Sequence, residues 1–249
     1  MWICVGGYGH PRLCAPKEIK MSIFKKSKRI VAICFFIFLC ISSGFSSKVG
    51  EHEFECPICS TKFNYRVQYS YSLFGQNLDL KPVGAAIIPT PIPKCEKCGF
   101  VFEDDLFSEE ELKILKEYLS KNNLPDADKN YPNYYYLGQE MLILNKPIEN
   151  IAWDFLESVW ENNNEKNKSY LMSNAIKYFE LVPETSESYE NFLLIRVDLE
   201  RRKGNFENAA KIIEIIKQRT DFYKGYIIEI VDCQEKLIKA KDIEEHSLP

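Results

Sequence analysis

Apolar positions along the chain follow three rhythms. Ile30 to Ile41 is an unbroken apolar run of twelve residues. From Phe63 onward, Phe63, Tyr65, Val67, Tyr69, Tyr71 and Leu73 alternate with mostly polar neighbours. A period of two predicts a strand. From Ser108 the period lengthens to that of a helix. "SEEELKILKEYLSK" opens with a capping box, Ser108 and Glu111 three residues on, and carries the stripe Leu112, Leu115, Leu119. "NNLPDADKNYPN" then breaks the chain. Further helices are predicted at about 133–145, 149–161, 167–182, 186–203, 206–218 and 221–240.

Three stripes support these helices: Ala152, Phe155, Leu156 and Val159; Leu171, Ala175, Tyr178 and Phe179; Phe206, Ala209, Ile213 and Ile216. The 206–218 segment adds a second stripe, Ile212 and Ile215, which predicts packing on two sides. One joint is informative. In "LERRKGNFENAAKI", Gly204 ends a helix and Ala209 follows five residues later. Glycine admits the left-handed residue that closes a helix, and a small residue lets the next helix approach. This is a tetratricopeptide-type turn. "YYYLGQEM" carries a weaker Leu137-Gly138 echo of a first repeat helix. The plainer alternative is an irregular helical bundle.

The apolar run belongs to a leader. Lys25, Lys26, Lys28 and Arg29 precede it, and the small residues Gly44 and Ser46 follow it. Twelve residues suit a signal-peptide core and are short for a membrane span. Cleavage is expected after Ser46; the alternative is an uncleaved anchor through residues 30–45. Residues 1–20 have neither helical nor strand periodicity, and Met21 opens a more conventional signal peptide. Residues 1–20 are therefore set apart as an extension, and Cys4 and Cys14 with them.

Charge sharpens the division. The chain of 249 residues has net charge −4, yet residues 1–46 hold seven of its 32 basic residues and one of its 36 acidic ones. The remainder carries net −10. An acidic body is a poor partner for phosphate backbones or anionic lipid, so no nucleic-acid partner is expected.

Nine cysteines reduce to four. Cys34 and Cys40 fall in the apolar run, and Cys233 lies alone in a helical stretch as a small buried hydrophobe. Cys56-x-x-Cys59 and Cys95-x-x-Cys98 remain, separated by 35 residues. Two such turns on facing hairpins make a zinc ribbon, in which four thiolates surround one ion. Pro57 stiffens the first turn, Gly99 follows the second, and Phe100-Val101-Phe102 predicts a strand leaving it. Pro89, Pro91 and Pro93 restrict the intervening "IIPTPIPK" to an extended edge or loop. Cys56, Cys59, Cys95 and Cys98 are thus the candidate ligands of a structural zinc. Two alternatives stand beside this. An exported protein can pair the cysteines as disulfides. A redox Cys-x-x-Cys opens a helix, whereas strand pattern follows Cys59. His52, four residues before Cys56, is a substitute ligand or a solvated side chain.

No enzyme motif appears: no Gly-rich phosphate loop, no His-Glu-x-x-His, no Gly-x-Ser-x-Gly. His10, His52 and His246 are the only histidines. Asp104 and Asp105 are expected to face solvent. Arg201, Arg202 and Lys203, the one basic run of the body, are expected as a solvated last helical turn that offsets the helix dipole.

Cys-Pro-x-Cys, a strand-rich insert and Cys-x-x-Cys-Gly-Phe lead into helices carrying "IAWDFLESVWE" and "DLERRKGNFENAAKI". In this combination the chain resembles, from about Phe54 to Lys217, the bacterial family known as domain of unknown function 2225. The resemblance implies a zinc-ribbon-like head on tetratricopeptide-like helices and no established activity. Two features depart from the family: Ser60 stands where it usually has glycine, and the export-like leader is not associated with it.

The expected fold is therefore α+β, a small zinc-ribbon-like β module at 47–107 before an all-α tetratricopeptide-like solenoid at 108–241 and a tail at 242–249. The leader occupies 21–46. The expected function is that of an exported or membrane-anchored scaffold, with structural zinc and a protein or peptide partner on the helical body. Tyr131, Tyr134, Tyr135, Tyr136, Trp153 and Trp160 are candidate anchors or core residues. Membrane contact is expected only through the N-terminal segment. The alternative is an enzyme acting through carboxylates between head and helices.

Overall fold

The computed structural model describes residues 48–103 and 106–249. The leader, the 1–20 extension, Asp104 and Asp105 lie outside the described residues. Among the described residues the fold is mixed α+β: two small antiparallel sheets precede seven helices.

β1 (Lys48–Glu55) and β2 (Lys62–Ser70) form a hairpin with Phe54 opposite Phe63 and His52 opposite Tyr65. β1 has no counterpart in the expectation, because "KVGEHEFE" is polar on both faces and lacks a clean period. β2 keeps the predicted alternation through Phe63, Tyr65 and Val67 and then loses it. The register shifts where Lys48 pairs with Ser70 but Val49 pairs with Gln68, which leaves Tyr69 as the extra residue. A bulge of this kind inverts the side-chain phase. Gln68 turns in, and Tyr69 is 57% exposed. β3 (Leu73–Gln76) pairs with β4 (Pro82–Gly84). The strand expected at Phe100–Phe102 is reduced to a single bridge, Lys94 with Val101.

The helices are α1 (Glu109–Lys121), α2 (Asn133–Ile143), α3 (Ile148–Glu161), α4 (Glu165–Phe179), α5 (Tyr189–Arg202), α6 (Phe206–Gln218) and α7 (Tyr226–Ala240). The capping box of α1 is complete: the Glu111 amide donates to Ser108 Oγ, and the Ser108 amide donates to Glu111 Oε2. The joint between α5 and α6 has the expected geometry. Gly204 has φ +80°, and Ala209 is fully buried. Gly138 lies under Phe155, where an added Cβ would meet the ring at 3.1 Å. From α2 onward each helix packs on the next in the chain, and α5 also packs on α7. The second stripe of α6 is only half used: Ile212 is buried and Ile215 exposed.

Three apolar clusters hold the described residues. One joins α2 to α5 around Phe155, Phe179 and Phe192 and takes in Ile92 and Val101. A second joins α5 to α7 and takes in Leu78. A third packs Cys56, Ile58, Cys95 and Phe100 against Leu115 of α1. The β-rich segment therefore contributes to every cluster, and the described residues fall in one compact unit. Tyr134, Tyr135 and Tyr136 are buried core residues.

One expectation is corrected. Arg201 and Arg202 do not form a solvated turn: Arg201 is fully buried and Arg202 nearly so. Arg201 donates to Asp198 Oδ1 (2.7 Å), Gln234 Oε1 (3.0 Å) and the carbonyl oxygens of Asp242 and Glu244. These four hydrogen bonds reach acceptors on α5, α7 and the chain that follows α7, which offsets the cost of burying the charge. Residues 246–248 return to the β segment, where Asn77 bridges Ser247 and the Leu248 amide donates to Gln76.

Candidate metal centre

The two cysteine turns are built alike. In the first, the Ser60 amide donates to the Cys56 carbonyl (2.8 Å) and the Cys56 amide to the Thr61 carbonyl (2.9 Å). In the second, Gly99 and Cys95 repeat both bonds, to Cys95 and Phe100, at 2.8 Å each. Each turn needs a left-handed residue after its second cysteine. Gly99 supplies it at φ +77° and Ser60 at φ +53°. The serine thus adopts the conformation that glycine takes without strain.

The turns face one point. Cys56, Cys59, Cys95 and Cys98 present sulfurs that all lie within 4.8 Å of one another. The close pairs cross between turns: Cys56 Sγ to Cys98 Sγ and Cys59 Sγ to Cys95 Sγ, both 3.6 Å. A disulfide would need about 2.05 Å. A tetrahedral ion with bonds of about 2.3 Å would hold its sulfurs about 3.8 Å apart. The residues therefore fit a metal ion, and all four cysteines are free thiols. Their Phe100 and Leu115 surroundings exclude water from one side.

Without a cation the sulfurs differ in how readily they ionise. Burial pushes the Cys56 thiol up to about 11, against amide bonds from Cys59 and Ile58 that favour its thiolate. Burial and the neighbouring sulfurs push Cys98 up, although the Phe100 amide favours its thiolate. Cys59 also loses hydration, but the Thr61 hydroxyl, 3.2 Å away, and the Thr61 amide bring it down to about 6. Four thiolates at these separations repel one another, and a cation bound among them removes that penalty. Sulfur donors suit zinc and other thiophilic ions. His52 is not in this group; it packs edge-on to Phe54.

A second cluster of ionisable groups was not singled out in sequence. Glu140 on α2 and Asp154, Glu157 and Glu161 on α3 gather beside Tyr134. The Val101 amide donates to Glu140 Oε1 (2.8 Å), while Glu140 Oε2 and Asp154 Oδ2 are buried without a hydrogen-bond partner. Burial raises the pKa of both well above the usual carboxylate range, and for Asp154 the charges of Glu157, Glu103 and Glu140 add to it. Burial and Glu103 push Glu157 up to about 8. The available signal was the spacing i, i+3, i+7 on α3, which by itself also describes a solvated stripe.

No protein-family model, curated protein or solved structure matches the chain. Among the described residues no helix is long and apolar enough to cross a membrane.

Proposed function

We propose that the protein is a non-catalytic scaffold: a zinc-stapled β head and a tetratricopeptide-like helical body that holds a protein or peptide partner. The cross-turn sulfur geometry at Cys56, Cys59, Cys95 and Cys98 carries this reading. Four sulfurs leave zinc no open position for water, so the ion stabilises the fold and performs no chemistry. Neighbour-on-neighbour helix packing and the Gly204 turn support the repeat-like body. Tyr131 and Tyr170, stacked at 5.2 Å with Tyr170 exposed, offer an aromatic pair to a partner. Export or anchoring through residues 30–45 rests on the leader pattern.

The buried carboxylates favour a second reading, an enzyme that works through Asp154 and Glu157. One experiment separates the two. The zinc-loaded chain is used for crosslinking capture in its native host and, in parallel, for an unbiased hydrolase screen. The scaffold reading expects a stoichiometric partner that Tyr170→Ala loses while zinc content stays unchanged. Turnover that Asp154→Asn abolishes would replace it.

A further inference from the structure

Between Cys56 and Cys95 the chain has one acidic residue, Asp79, and four basic ones. Asp79 is fully buried. The surface of this stretch therefore carries no carboxylate, in a protein whose residues after 46 are net −10. The same stretch is apolar outside. Tyr69, Tyr71, Leu73, Phe74 and Ile87 are five of the twelve exposed large hydrophobic side chains among the described residues.

Their placement is specific. The Ile87 amide donates to Gln68 Oε1, and the Ala85 amide donates to the Ser72 carbonyl. Gly84 crosses Ser72 so closely that a Cβ would lie 2.2 Å from its oxygen. Segments 68–73 and 84–87 are thus clasped together at the foot of the β1–β2 hairpin. The bulge at Tyr69 turns that ring outward over Gly50. At the same foot the chain enters β1 at Lys48, two residues after Ser46 and seven after the apolar run ends at Ile41. The acids of β1, Glu51, Glu53 and Glu55, run away from it toward the cysteine turns.

We infer that this foot is a membrane-contact face, with Tyr69, Tyr71, Leu73 and Ile87 seated in the interfacial layer of a bilayer. Tyrosine suits that layer because its ring is apolar and its hydroxyl stays wet. An apolar stretch with no exposed carboxylate of its own enters it at low desolvation cost. The acidic body opposes anionic lipid, so the face takes zwitterionic lipid and its binding is insensitive to salt. This goes beyond the proposed scaffold reading, in which only the N-terminal segment meets the membrane. It rests in part on the leader pattern, but the readout does not need the leader to be retained.

The test uses the zinc-loaded protein as its host processes it, with phosphatidylcholine vesicles carrying a headgroup-level nitroxide lipid. Tyr71→Trp adds a reporter on the foot, and Ile228→Trp adds one on α7, where the native side chain is similarly exposed (38% against 41%). The fluorescence gained with Tyr71→Trp is expected to be quenched at least twofold more than that gained with Ile228→Trp, equally at low and high salt. Leu73→Ser with Ile87→Ser should abolish the difference with zinc content unchanged. Equal quenching at both positions, or none, overturns the inference. So does a lipid-independent dimer that shields Tyr71, which would assign the foot to a second copy. N-terminal sequencing of the same material reports the fate of the leader separately.

Discussion

Arg202 Nη1 lies 3.0 Å from Asp79 Oδ2, a buried ion pair that spans 123 residues of sequence. Asp79 also accepts from Trp160 Nε1 (2.9 Å) and the Lys81 amide (3.1 Å), so one carboxylate of the β segment joins α3 to α5. Burial and Asp198 push Asp79 up to about 6, against the opposing pull of Arg202. Removing one partner strands a buried charge. Arg202→Met should destabilise the protein by about 3–5 kcal/mol, read by denaturant unfolding. Because Leu78, beside Asp79, belongs to the α5–α7 cluster, the loss should appear in one transition covering strands and helices together.

The turn between α5 and α6 makes a second prediction. An added Cβ at Gly204 meets nothing within 4 Å, so the cost of substitution lies in the backbone alone. Gly204→Val should cost roughly 1 kcal/mol or more at φ +80°, and Gly204→Asn clearly less. Equal melting temperatures for the valine variant and wild type would remove the turn assignment.

Ser60 predicts a gain. It holds the left-handed position that Gly99 fills in the other turn. Ser60→Gly should stabilise the protein by up to about 1 kcal/mol and slow metal release to a competing chelator. Faster release would mean that the serine side chain supports the turn.

These residues show what the sequence could reveal. Local signals were readable: the capping box of α1, six further helices, the glycine joint and the two cysteine turns all depend on residues close in sequence. The strand at Phe63 was readable only as far as Val67. The bulge at Tyr69 depends on register with β1, which no local pattern encodes. Arg201 and Arg202 look like a solvated helix end because, Asp198 apart, their acceptors, among them Asp79, Gln234 and the Asp242 and Glu244 carbonyls, arrive from distant segments. The carboxylates near Tyr134 were missed for the same reason.

Those carboxylates predict a pH dependence. Glu140, Asp154, Glu157 and Glu161 all have raised pKa values, with burial as the largest cause. A carboxyl that ionises less readily when folded holds its proton in the native state, so its contribution is full below the unfolded pKa of about 4.3. It is lost as pH rises toward the folded value, about 8 for Glu157. Stability should fall between about pH 5 and about pH 8, by about 1 kcal/mol or more and roughly 2–4 °C per kcal/mol. Asp154→Asn should flatten that slope. A melting temperature that rises over this range would contradict the assignment.

Cys56, Cys59, Cys95 and Cys98 are proposed to hold one structural zinc. The direct measurement is metal content and thiol count on protein purified from its native host without added metal. One zinc per chain is expected, with four alkylatable thiols among these residues after denaturation with chelator. The proposal also predicts four sulfur neighbours at about 2.3 Å by X-ray absorption. Metal-free protein with these cysteines paired as disulfides, and a β segment indifferent to chelator, would contradict it.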